Sequence, residues 1–431
     1  MSQPRVAVVG GGIAGTLCSL VLRNRGLHPV LIDGGYQMGG RLRGGAQFWR
    51  TQNPRLVNVT SMLNQAGLLV PWNGRFGVLG SSGGGFLPAG IVAKKGASSG
   101  VQGLSKADGS EQGAEVLSSV VDSGDFCNFI EGSNEPAFVG VPSMGDLCQN
   151  ICKLGDIEAR PKTKIIGAEM VPGGGWKLDT VGDSSGTIVD ETFDALVLAT
   201  HDPSLASGIV RNIVSAEVAA GGFSSIEDAT SKGGDDDAST TLIRRLSQLA
   251  DGLQVAREEG RVPIYQLSAT YPKGFSDSIP FDAVTVPGSP LIQFLLREAS
   301  KPGIVQDPDK GETWTALSTS TLAVRLLSSP ELSDEDRLSA ISTMLPEEMS
   351  RLFTQYHPGD DNIMLPLDVS VKRWGAAFCS KGLNLKEDSV TLAPWRLSIC
   401  GDYLSEHGTP LEAAALSGLE AGERTASLFA E

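Results

Sequence analysis

Three glycines and an acid carry the first chemistry that the chain offers. Gly10, Gly12 and Gly15 stand in the spacing G-x-G-x-x-G, and Asp33 follows the third glycine by 18 positions. In such a turn Gly10 permits the bend, Gly12 lets a pyrophosphate approach the backbone, and Gly15 lets a helix lie close to a strand. A helix opening at Ile13 and Ala14 would present unpaired N–H groups and a partial positive charge to phosphates. Asp33 would accept hydrogen bonds from a ribose. Shortly after come Gly39-Gly40-Arg41 and then Gly45-Ala46-Gln47-Phe48. The paired glycines again allow close approach, and Arg41 offers a planar, permanently charged fork to phosphate. Together these residues could hold a dinucleotide.

The elements that must position them can be read from the flanking pattern. Val6-Ala7-Val8-Val9 is an apolar run of the kind a strand buried on both faces has. A helical pattern follows (Ala14, Leu17, Leu20, Val21), and a second strand, Pro29 to Ile32, ends on Asp33. Further on, the spacing predicts a helix over 54–67, short strands at 75–79 and 86–87, and a hairpin over 164–181. A buried strand over 193–199 ends at Ala199 and Thr200. From Arg261 the pattern turns to strands (264–270, 283–286, 291–297), then to helices over 321–327 and 334–356. Leu397 to Cys400 reads as a strand ending in Gly401-Asp402. Pro410 and Leu411 then enter a helix over 412–429. Two stretches rich in small and polar residues, 90–119 and 221–240, are expected to be inserted loops. The triplet Asp235-Asp236-Asp237 reads as solvated loop, and its spacing does not suit a metal.

Composition narrows the function classes. With 431 residues, 41% of them hydrophobic, the chain can bury a substantial core. A net charge of −15 argues against nucleic acid or an anionic membrane surface as partner. The six cysteines (18, 127, 148, 152, 379, 400) have neither C-x-x-C nor zinc spacing. Cys148 and Cys152, four apart on a helix, are expected to be core thiols in a reducing compartment. No run of about 18 apolar residues suggests a membrane span. Met1 to Pro4 leads straight into the first strand, so a cytoplasmic protein is expected. A plastid or other organelle stays open if a transit peptide precedes this numbering.

Gly39-Gly40-Arg41, six residues after the acid, resembles the second nucleotide-contacting segment of the flavin amine oxidase superfamily. Within it, Gly45-Ala46-Gln47-Phe48 is most similar to renalase. Similar renalase-like segments are Pro142-Ser143-Met144, the turn Ser300-Lys301-Pro302-Gly303 before Trp314, and Arg373-Trp374-Gly375-Ala376-Ala377. The resemblance implies an α/β fold: a Rossmann-type, two-dinucleotide-binding FAD domain with an interleaved antiparallel-sheet substrate domain. It implies FAD-binding parts at 1–90, 138–205 and 391–431. Residues 91–137 would be an insertion and the start of the substrate lobe, and 206–390 the lobe itself. Noncovalent FAD would lie along the glycine turn with Ile13 and Ala14, then Asp33, Gly39 to Arg41, Gly45 and Ala46. Ala199 and Thr200 would back its adenosine half, Gly401 and Asp402 would meet its ribityl and pyrophosphate portion, and Leu411 would begin the helix aimed at the flavin ring.

The implied activity is hydride transfer from a small reduced substrate, dihydronicotinamide isomers above all, with electrons passed to oxygen. A nicotinamide dinucleotide is thus among the expected partners, and nucleic acid and membrane are not. The residues expected at the flavin face are Gln47, Phe48, Trp374 and His407. Gln47 reads equally well as a strand-edge polar residue, Trp314 and Trp374 equally well as core aromatics. His201 is expected to be a loop histidine rather than a base. Amine oxidation is the second reading, although amine oxidases carry an aromatic residue where His407 stands, five before Glu412. A desaturase or isomerase acting on a long apolar substrate, and a flavin-binding protein without turnover, also remain open.

Overall fold

The computed structural model describes residues 3–51, 53–80, 85–88, 136–181, 191–232, 238–303, 311–357, 365–383, 385–405 and 409–430. The chain begins β1 (Arg5–Val9), α1 (Ile13–Asn24), β2 (His28–Ile32), α2 (Pro54–Gln65), β3 (Leu69–Trp72), β4 (Phe76–Leu79) and β5 (Phe86–Pro88). It continues β6 (Ala137–Gly140), α3 (Leu147–Leu154), β7 (Glu158–Arg160), β8 (Lys164–Met170), β9 (Trp176–Val181) and β10 (Ala195–Leu198). Three helices follow, α4 (Ser204–Ala220), α5 (Ile226–Lys232) and α6 (Ala238–Glu259), then β11 (Arg261–Tyr271), β12 (Ala283–Thr285), β13 (Ile292–Arg297) and β14 (Glu312–Ser318). The last elements are α7 (Ser320–Leu327), α8 (Asp334–Phe353), β15 (Asp368–Cys379), β16 (Ser389–Leu392), β17 (Leu397–Cys400) and α9 (Pro410–Ser427).

Two large sheets organise these elements. The first has the order β16-β17-β10-β1-β2-β7. Its centre is parallel, with Val6 opposite Ala195 on one side and Pro29 on the other. β1 shows why the strand must be apolar throughout. Val6 and Val8 pack with Leu17 of α1 and Leu416 of α9, whereas Ala7 and Val9 pack with Trp176 of the β8–β9 hairpin and Leu253 of α6. The second sheet, β15-β11-β14-β13-β12-β4-β5, is antiparallel except where β12 runs parallel to β4. One of its faces packs on α7 and α8 through Trp314, Leu322 and Phe353. Its other face carries Ile264, Phe294 and Leu317, with Phe48 and Trp374 beside them.

One expectation needs correcting. The stretch 221–240 is not simply a loop, since Ile226–Lys232 and the start of α6 are helical. Its start is set by Ser225, whose Oγ accepts from the Asp228 N–H at 3.0 Å, and Ala229 and Thr240 are buried. Acid triplet and insertion alike were read from composition, which does not register such a cap. The stretch 90–119 lies outside the described residues, as does the Asp235 triplet. β4 and β5 join the second sheet, and α4 and α6 pack on the first through Ile213, Leu246 and Leu253.

Small residues bring the two ends of the chain together. A Cβ on Gly418 of α9 would stand 2.1 Å from the Ala14 carbonyl oxygen, and one on Gly422 would stand 2.7 Å from Val21 Cβ. Only glycine lets α9 lie this close to α1. Gly418→Ala should therefore destabilise the protein by about 1–3 kcal/mol through overpacking. Gly208→Ala, at an exposed helical site with open space around it, should be neutral or stabilising by up to about 1 kcal/mol. Urea unfolding of both variants checks the pair.

Candidate active site

The glycine turn is shaped by three different demands. Gly10 has φ +119°, and a Cβ there would lie 2.4 Å from the Ala199 carbonyl oxygen. A Cβ on Gly15 would lie 1.9 Å from the Gly10 carbonyl oxygen. Gly12 is the N-cap of α1 at φ −76° and ψ −174°, with no side-chain cap, and a Cβ there would meet nothing within 4 Å. Its surroundings are therefore open cavity, bordered by Ile13 and Ala14 of the uncapped first turn. Asp33 is fixed by the backbone: Oδ2 accepts from Gly11 N–H at 2.6 Å and Oδ1 from Gly35 N–H at 2.7 Å. Each oxygen keeps a further acceptor position for a ligand hydroxyl.

The second segment lies over the first. Gly39 N–H donates to the Gly11 carbonyl at 2.7 Å, and Gly40, at φ +49°, sits where a Cβ would be 3.2 Å from Gly12 Cα. The next residue departs from expectation. Arg41 does not present its fork freely to the cavity. Its guanidinium donates to both Asp402 oxygens, at 2.8 and 2.7 Å, and to the Ala377 carbonyl at 3.0 Å. The Asp402 side chain is 3% exposed. Burial opposes the charge on Arg41, and Asp402 more than offsets it, so the pKa of the guanidinium is raised. Arg41 and Asp402 thus form one buried unit.

A cavity of about 920 Å³ runs along these residues. Its wall includes Asp33, Gly12, Ala199, Thr200, Gly401 and Asp402, and continues to Thr409, Pro410 and Leu411 at the start of α9. Thr409 caps that helix, its side chain accepting from Glu412 N–H at 3.3 Å, and Pro410 occupies the first turn. Glu412 is itself buried, and one oxygen accepts from Asn53 N–H at 2.5 Å, tying the helix to the entry of α2. A second chamber of about 780 Å³ shares Gly40, Ala46, Gln47 and Trp374 with the first.

The side chains of the shared wall are held by specific partners. Gln47 is buried, and its amide is held at both ends: Oε1 accepts from Lys301 Nζ at 3.0 Å and Nε2 donates to the Gly45 carbonyl at 2.9 Å. Trp374 lines both chambers, donates to Gln266 Oε1 at 3.1 Å and carries Lys372 Nζ 3.8 Å above its ring. Trp314 is a core residue, fully buried and bonded to Ser276. Phe48 lines the first chamber and packs near Trp72 and Phe294, at ring separations of 6.1 and 6.3 Å. His201 lies on the same wall beside Arg41. His407 falls outside the described residues.

Sequence reading did not single out Lys301 or Glu298. Lys301 is 7% exposed, faces the second chamber and pairs with Glu298 at 2.9 Å. Only the Ser-Lys-Pro-Gly turn hinted at it. Among the described residues no group of three or more His, Cys, Asp or Glu is placed to hold a metal, and no helix is long and apolar enough to cross a membrane. Cys148 and Cys152 are buried, and burial pushes both thiols up to about 12.

Arg41→Ala should be costlier than the loss of a ligand contact. It strands the buried Asp402 carboxylate, a loss of about 3–5 kcal/mol. Arg41→Met with Asp402→Leu should regain part of it, read from urea unfolding without added cofactor. Equal losses in the single and double variants would refute the pairing argument.

No family model and no curated protein matches the chain. Solved structures do. A cyclohexylamine oxidase from Brevibacterium oxydans IH-35A superposes with TM-score 0.59 at 13% identity, covering 99% of each chain. A double mutant of putrescine oxidase superposes with TM-score 0.57 and the same identity and coverage. A putrescine oxidase bound to putrescine reaches 0.56. The chain thus has the fold of these amine oxidases, a Rossmann-type nucleotide domain interleaved with an antiparallel-sheet lobe.

Proposed function

We propose that this chain is an FAD-dependent oxidoreductase, taking a hydride from a small reduced substrate and passing the electrons to oxygen. The observation that carries the reading is the continuous path from Asp33, over the open face of Gly12, to the N-terminus of α9, with a second chamber opening beside Gln47. A dinucleotide fits that path chemically. Asp33 suits a ribose, the uncapped turn of α1 suits a pyrophosphate, and the capped end of α9 suits a ring that gains negative charge. Bound noncovalently there, FAD supplies hydride acceptance and the return of electrons. The protein's own part is to bind, orient and exclude water.

Within this class we favour a renalase-like substrate, a dihydronicotinamide isomer, over an amine. Around the second chamber stand the amides of Gln47 and Gln266, the hydroxyls of Ser268 and Thr315, and the cations Lys301 and Lys372. Amides and hydroxyls suit a neutral heterocycle bearing a carboxamide. The carboxylates Asp33, Asp146 and Glu298 stand on the same wall as Arg43, Lys301 and Lys372, so the chamber has no net negative charge to draw in a protonated amine. Amine oxidation stays as the second reading because the fold neighbours include putrescine and cyclohexylamine oxidases.

The purified protein, reconstituted with FAD, should show flavin absorbance that bleaches within seconds of anaerobic addition of dihydronicotinamide isomers. Bleaching by amines alone would favour the second reading, and no flavin uptake would refute both. Gly12→Ala should lower flavin occupancy at least about tenfold, roughly the 1.4 kcal/mol of one displaced contact, while leaving the unfolding midpoint of the apoprotein unchanged. Unchanged flavin content in Gly12→Ala would refute the placement of the pyrophosphate.

A further inference from the structure

Gln266 presents a fixed amide to the second chamber. It lies in β11, held between β15 and β14, with Lys372 and Leu317 as its register partners. Side chains alternate along a strand, so Ile264, Gln266 and Ser268 share one face, while Tyr265 and Leu267 are buried against α7 and α8 on the other. Gln266 borders the second chamber alone, and Trp374 of β15 borders both chambers. Trp374 Nε1 donates to Gln266 Oε1 at 3.1 Å. An indole N–H can only donate, so the atom it meets must be the amide oxygen.

The indole is itself held in place. Lys372 Nζ stands 3.8 Å above its ring and donates to the Arg43 carbonyl at 3.0 Å. The far edge of the ring rests on main chain, since a Cβ on Gly45 would lie 3.5 Å from Trp374 Cη2. Turning the Gln266 amide over would set its N–H groups against the indole N–H and forfeit their bond. The Nε2 group therefore faces away from Trp374, and among the described residues it has no acceptor. Gln47, by contrast, is committed at both ends of its amide. Gln266 thus offers the chamber uncommitted donors. A ligand carbonyl can accept from them, whereas an ammonium, which only donates, cannot.

We propose that Gln266 is a specificity-determining residue for the substrate and that Trp374 is its positioning residue. Locked with its N–H groups outward, Gln266 selects a heterocycle that carries a carbonyl and rejects one that carries an ammonium in the same place. Discrimination then comes from one directed hydrogen bond on the antiparallel sheet rather than from charge, which is balanced around the chamber. This inference rests on the FAD reading above.

The test is ligand binding to the FAD-loaded protein at neutral pH, read from the perturbation of flavin absorbance. The probes are nicotinamide and its methyl ketone, ethyl and aminomethyl analogues, which differ in the group offered to Gln266. Nicotinamide and the ketone should bind about tenfold tighter than the ethyl analogue, the effect of one hydrogen bond. The aminomethyl cation should bind no better than the ethyl analogue. Gln266→Leu should level the ketone with the ethyl analogue. Gln266→Glu keeps the oxygen that Trp374 meets and replaces the donors with a carboxylate oxygen, so the aminomethyl analogue should become a tighter ligand than the ketone. Trp374→Phe frees the amide to turn and should narrow the gap between those two, whereas a merely structural role would weaken every ligand together. Should Gln266→Leu not fold, Gln266→Glu carries the test. Equal binding of the ketone and ethyl analogues by the unaltered protein, a preference that survives Gln266→Leu, an order unchanged in Gln266→Glu, or no binding of any probe overturns the proposal while leaving the flavoprotein reading intact. Failure of the unaltered protein to take up FAD overturns both.

Discussion

The backbone contact between α1 and α9 is the constraint on which the rest of this structure depends. Gly418 and Gly422 let the C-terminal helix settle against Ala14, Cys18 and Val21 with no side chain between. That approach places β17 two strands from β1, with β10 between them. Gly401 and Asp402 then emerge at the same end of the sheet as Gly10 and Gly12, beyond the C-termini of the parallel strands β17 and β1. The cavity floor is consequently made from residues near both ends of the chain, and no single segment could hold a dinucleotide alone. The Arg41–Asp402 pair is the electrostatic counterpart of this closure, joining residues 361 positions apart.

Pairing Arg41 with Asp402 also changes how the cavity can attract an anion. A chain of net charge −15 repels phosphate at long range, and a guanidinium neutralised by a buried carboxylate does little to reverse that. Attraction must be short-ranged, supplied by backbone N–H groups at the two helix ends that face the cavity. Such donors act on a ligand already in place, and they select for geometry more than for charge. A site of this type is rigid by construction, because its binding groups are main chain.

The β1–α1–β2 unit that floors the cavity was legible in the sequence because each of its demands falls on a short segment. A buried strand, a glycine turn, a helix and a terminal acid can be recognised within thirty residues, and β1, α1 and β2 appear where the pattern places them. The antiparallel strands over 264–297 were legible from their alternation. The helical layer of α4 to α6 was not, since its many serines, threonines, alanines and glycines mask a regular buried face that includes Ile209, Ile213, Leu246 and Leu253. The pairing of Arg41 with Asp402 was not legible, because its partner lies 361 positions further along the sequence. Lys301 shows the same limit. Its contact with Gln47 spans 254 positions, and no local spacing encodes that.

The assembly of one sheet from strands so far apart has a consequence for the order in which this protein can be made. β17 and α9 complete the cavity as they dock, and among the described elements they follow the strands and helices that they join. Until then β10 lacks its outer neighbour, α1 exposes the strip of small residues that α9 will cover, and Arg41 has no carboxylate opposite it. Long-range closures of this kind are slow relative to local folding and leave apolar surface unprotected while they wait. A cavity floor built from both β1 and β17 cannot be complete before α9 has docked, and until then the strip of small residues on α1 stays uncovered.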